Sequence, residues 1–140
     1  MTVTSLYALR QHLAAWLEER LPECEILPGL PDLRRPLPAD RCTLVLTVQK
    51  LRRCESIGAA GILPLEITLG VTACHRDSSR ACEALTEELA LLTAAADFPC
   101  RVAALETEPV EYNRTRAAFL QRMTLTLYCH LSEAGEGAGE

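Results

Sequence analysis

Apolar residues return at intervals of three and four between Ser5 and Leu21, at Leu6, Leu9, Leu13, Trp16, Leu17 and Leu21. That spacing puts them on one helical face. Thr4 or Ser5 can cap the helix by accepting from a free amide of its first turn, and Pro22 ends it. Cys24 to Leu27 reads as a short strand. Prolines at 28, 31, 36 and 38 then rule out helix or central strand and leave a long loop or arm.

The period changes to two from Cys42 to Gln49, where Leu44, Leu46 and Val48 alternate with Thr43 and Thr47. Lys50 to Gly61 reads as a polar connection. Ile62 to His75 is a second half-buried strand, with Ile67, Leu69, Val71 and Ala73 on one face and Glu66, Thr68, Gly70 and Thr72 on the other. Asp77, Ser78 and Ser79 offer caps for a helix to about Ala96, with Cys82, Leu85, Leu89 and Leu92 on its apolar face. Arg101 to Thr107 predicts a short strand and Glu108 to Thr115 a polar turn. From Phe119 to Leu131 the alternation is the clearest in the chain.

This order predicts an α+β domain over residues 1–131, with a mixed or antiparallel sheet of about four strands and two helices packed on one face. The second face of each long strand is rich in Thr, which suits either water or a partner sheet. Such a face needs an explanation, and assembly with other copies supplies one. The remaining segment, 132–140 (SEAGEGAGE), reads as a disordered acidic tail.

Composition narrows the function classes. A chain of 140 residues with 49 % hydrophobic and 24 % charged residues can bury one ordinary core. The formal charge of −5 argues against a general nucleic-acid binder, and no sequence-specific nucleic-acid partner is expected. No apolar run approaches membrane-spanning length, and no signal peptide is recognisable, so the expected origin is cytoplasmic. The seven cysteines include no CxxC pair and read mostly as small core residues with free thiols.

Several clusters invite chemistry, each with an ordinary reading beside it. Cys74–His75 and Cys129–His130 end two predicted strands. Neighbours on a strand point to opposite faces, so if the strands pair, Cys74 would share a face with His130 and Cys129 with His75. Two ligands are fewer than the four of structural zinc, and strand-end packing accounts for them. His75, Asp77 and Ser78 have triad residue types but fall within one turn, where capping explains them. Glu106, Glu108 and Glu111 could be imagined as an acid/base pair, but a charged sheet edge that discourages unwanted pairing explains them. No phosphate loop, dinucleotide fingerprint or nucleophile elbow is present, so no cofactor and no catalytic residue is expected. Arg34, Arg35, Lys50, Arg52 and Arg53 form a local basic group. Scattered aromatics give it no stacking platform for single strands, so a protein partner is the better expectation.

The ordered elements resemble one family. The helix ending LEERLPECEI, the strand LEITLGVTACHRD, the helix SSRACEALTEELALLTAA and the closing AAFLQRMTLTLYCHL are similar, over about residues 5–131, to phage tail terminator (tail completion) proteins. The likeness rests on element order, length and the closing strand pattern. It implies a structural protein, not an enzyme, that assembles as a ring, usually a hexamer. Such a ring caps the tail tube and forms the surface joined by the head-completion protein. It also implies a place in the bacterial cytoplasm during assembly and then in the virion tail. The proline arm and the cysteines depart from that family. Under this reading the segments 28–41 and 50–61 contact neighbouring subunits or the tube. The alternatives are a head-to-tail connector or adaptor, and a small intracellular enzyme with a pocket lined by His75, Cys74 and nearby carboxylates.

Overall fold

The computed structural model describes residues 1–29, 36–54 and 61–132. In chain order the elements are β1 (Thr2–Val3), α1 (Leu6–Arg20), β2 (Glu25–Leu27), β3 (Thr43–Arg53), β4 (Ile62–His75), α2 (Ser79–Thr93), β5 (Arg101–Thr107), β6 (Glu111–Asn113) and β7 (Ala118–Ser132). The fold is α+β, with two helices and a mixed sheet.

The helices form where the spacing predicts. Ser5 caps α1 by accepting from the Ala8 amide at 2.9 Å, and Leu9, Leu13 and Leu17 are buried along one stripe. Ser78 caps α2 in the same way, accepting from Ala81 at 3.0 Å, with Cys82, Leu85 and Leu89 turned inward. This helix stops at Thr93, short of the expected Ala96, and its cap Ala94 donates back to Leu91 and Leu92.

The sheet has seven strands rather than about four. Its order is β1-β7-β4-β3-β2, and β5 and β6 also pair with β7. The undercount has a simple cause. One edge of β7 pairs with β4 along its length, while the other edge is shared by β6, β5 and β1 in turn. Strands of two or three residues, such as β1 and β6, are too short to show a period and are held as strands only by β7. Both β1–β7 and β2–β3 are parallel, and the other pairs are antiparallel.

Both helices lie on one sheet face. There Leu44 and Leu46 of β3, Leu65, Ile67, Leu69 and Val71 of β4, and Met123, Leu125 and Leu127 of β7 join the helix stripes in one core. Each large side chain removed from water in this way contributes about 1.5–3 kcal/mol. On the other face, among the described residues, a smaller buried apolar cluster forms one corner, where Leu37 packs with Val45, Cys74, Ala118 and Leu120. Leu37 comes from the proline-rich segment, part of which (30–35) lies outside the described residues. The predicted tail lies there too, except that Ser132 is the last residue of β7.

Candidate functional site

The basic group was expected on a polar connection, but Lys50, Arg52 and Arg53 belong to β3. Alternation is interrupted at Gln49, where the register with β4 slips between Val48 and Lys50. A bulge of this kind shifts which face each later residue takes. Gly70 makes room for it: a Cβ there would stand 2.5 Å from Gln49 Nε2 and 2.8 Å from Thr47 Oγ1. Beyond the bulge, Lys50 and Arg52 stand opposite Thr68 and Glu66 on the open face, and Arg53 stands opposite Leu65 on the helix side. All three are exposed. Arg34 and Arg35 lie outside the described residues, so the expected meeting of the two basic segments has no structural description.

A transverse polar row crosses the open face at this level. Arg52 donates through Nε and Nη2 to the two Glu66 oxygens, each at 3.2 Å, and the Tyr128 hydroxyl donates to Glu66 at 3.3 Å. Arg101 of β5 follows, its guanidinium carbon 5.7 Å from the centre of the Tyr128 ring. The hydrogen bond from Arg52 holds the Glu66 carboxyl below its usual range, opposed by partial desolvation and reinforced by charge, and the Arg52 pKa rises for the matching reason.

The far end of the open face holds a cleft of about 310 Å³. Leu37, Val45, Cys74 and Leu120 form an apolar floor, with Arg116 and Arg122 at its side. Arg122 forms an ion pair with Glu111. Sequence reading missed this cleft, because its parts come from β3, β4, β7 and the arm and meet only through pairing. At the opposite end, β4 and β7 line a shallow pocket of about 300 Å³ with Ile62, Leu63 and Leu131. Ile62 and Leu63 are large exposed apolar side chains there. Their signal was present in the sequence, as apolar positions flanking the assumed polar connection.

The remaining candidates separate. Cys74 and His130 do share a face, but Cys74 stands opposite Leu120 and His130 opposite Pro64, ten positions along the β4–β7 ladder. Cys129 and His75 are separated likewise, opposite Leu65 and Phe119. At about 3.3 Å per residue that is roughly 33 Å, beyond any shared ion. Among the described residues no group of three or more His, Cys, Asp or Glu is placed to hold a metal. His75 Nδ1 accepts from the Asp77 and Ser78 amides at 3.1 and 3.0 Å, so it organises the turn into α2. Glu111 pairs with Arg122, while Glu106 is exposed on β5.

No helix of the described residues is long and apolar enough to cross a membrane. The chain matches no family model and no curated protein.

Proposed function

We propose that this chain is a structural subunit of a phage or prophage tail, a tail terminator that works as an oligomeric ring. The ring caps the tail tube and offers the surface to which the head-completion protein joins. The observation that carries this reading is a sheet with both helices on one face and the other face, among the described residues, largely uncovered, polar and rich in Thr. A monomer gains little from such a face, whereas a subunit in a wall uses one side for its core and presents the other. The element order helix, strand, strand, helix, strand, strand, which carries the family resemblance, is retained among the longer elements.

The test is the solution mass by size exclusion with light scattering across a wide concentration range. A stable multiple of the 15.4 kDa chain, six copies above all, supports the reading. Adding the protein to polymerising tube protein encoded beside it should then stop growth at one tube end. A chain that stays monomeric and leaves tube growth untouched overturns the proposal.

A further inference from the structure

A sheet edge presents a row of unpaired N–H and C=O groups that another strand can complete. Among the described residues two edges stand open. β2 covers β3 only at Thr43 to Val45, which leaves Leu46 to Arg53 without a strand partner on the outer side. β5 pairs with β7 on its inner side alone.

The ladders show which groups face outward. Cys54 donates to the Pro64 carbonyl, so by antiparallel alternation Arg52 and Lys50 bond to β4, while the N–H and C=O of Leu51 and Arg53 point away. At the other edge Glu108 donates to the Arg122 carbonyl, so Glu106 bonds to β7 and Leu105 and Thr107 point away. The two edges also differ in charge on the same sheet face. Lys50 and Arg52 share the open face with Thr68 and Glu66, and Glu106 and Glu108 share it with Thr124 and Arg122.

Strand direction permits the match. β3, β4, β7 and β5 alternate in direction, so β3 and β5 run oppositely. Rotation about a ring axis to which the strands are inclined by less than about 45° preserves their sense, so β3 of one copy meets β5 of the next antiparallel. Such contacts are heterologous and generate rings when the rotation closes.

We propose that β3 of each copy pairs with β5 of its neighbour, Leu51 opposite Thr107, Arg52 opposite Glu106 and Lys50 opposite Glu108. The sheet then runs unbroken around the ring. This deepens the ring reading above and rests on it. In that register both charge pairs sit at non-hydrogen-bonded positions, where facing side chains come closest. Within one chain Arg52 lies on the rung of Glu66, Tyr128 and Arg101. Pairing Arg52 with Glu106 therefore staggers neighbouring copies by about four residues, roughly 13 Å, over four strands. About one residue of stagger per strand is the ratio at which closed eight-stranded barrels tilt their strands by roughly 36°.

The experiment uses the full chain. Lys50→Cys with Glu108→Cys should, on mild oxidation, give a ladder of covalent multiples absent from the wild type and from either single variant. Lys50→Glu and Glu108→Lys should each weaken association about tenfold or more, and the two combined should restore it to within about threefold. A wild type that forms a ring, with no ladder from the double cysteine variant and association indifferent to both reversals, overturns the edge pairing and leaves the ring reading standing. A wild type that is monomeric at every concentration, with no ladder from the double cysteine variant, removes both.

Discussion

Arg52 and Glu66 face each other across the β3–β4 pair with two hydrogen bonds of 3.2 Å, and Tyr128 donates to the same carboxylate from β7. Three strands are therefore tied by one partly exposed polar row on the face that the helices leave open.

Because Arg52 holds the folded-state Glu66 pKa below its ordinary value, the carboxylate's contribution is present at neutral pH and is lost as pH falls through that lowered value. In Arg52→Ala the Glu66 titration should move up toward the usual glutamate range while the fold persists. Following the Glu66 side-chain carbon by NMR during an acid titration checks this. An unchanged midpoint would show that Arg52 is not what depresses it.

Gly70 should tolerate a methyl group only if Gln49 swings aside, since the added carbon would come within 2.5 Å of the Gln49 amide nitrogen. Gly70→Ala should cost about 0.5–1.5 kcal/mol, the scale of a forced off-rotamer side chain. Removing the obstacle with Gln49→Ala should recover part of that cost, although Thr47 Oγ1 at 2.8 Å retains some of it. Urea unfolding of the two single variants and the double variant measures the coupling. Strict additivity would refute the steric account.

Inside the core, the Thr86 hydroxyl of α2 is shared as a donor between Gln121 Oε1 of β7 and the carbonyl of Cys82, each at 2.9 Å, while the Gln121 amide donates to the Glu108 carbonyl at 3.0 Å. Thr86→Val strands the Gln121 oxygen in a buried site and should cost about 1–3 kcal/mol. Thr86→Val with Gln121→Leu should cost less than the sum of the single changes, because both partners are then apolar. Chemical denaturation of the four proteins reports it, and a double variant at or above the sum counts against a bridge.

Burial raises the thiols of Cys74, Cys82 and Cys100 from 9.0 to about 11. At pH 8 their thiolate fraction should be on the order of a hundredfold below that of an ordinary thiol, so native labelling should be slow and unfolding should release it. The sign for stability follows. A raised folded pKa favours the fold below the unfolded value and costs stability as pH climbs from about 9 through about 11. Alkaline melting curves should fall over that interval, and Cys74→Ala should flatten the fall. Rapid native labelling of all three would contradict their burial.

Sequence periodicity reached the two helices and the long strands because each buries one face against the same core. Leu125 and Leu127 show why: their inward turn is fixed by strand geometry alone, before any partner is known. The reading failed where a partner decides. Lys50 to Arg53 looked like a loop because the bulge at Gln49 breaks the alternation, and only pairing with Leu65 to Thr68 makes that segment a strand. Glu111 to Asn113 likewise becomes a strand through Ala118 to Leu120. The cleft beside Arg116 and Arg122 depends on segments far apart in the chain, which no local pattern can announce. The charged edge carrying Glu106, by contrast, was legible from alternation.

β7 pairs with four other strands, and those partners come from the beginning, middle and later parts of the chain. Because it also follows all the other described strands in the chain, Thr2–Val3, Arg101–Thr107 and Glu111–Asn113 have nothing to zip onto until it emerges. Loop-closure entropy must be met before those distant pairings form, which favours slow maturation. A nascent chain halted before Ala118 would hold the β3–β4 ladder with β4's other edge bare, and at that stage it is most exposed to aggregation and most in need of a chaperone.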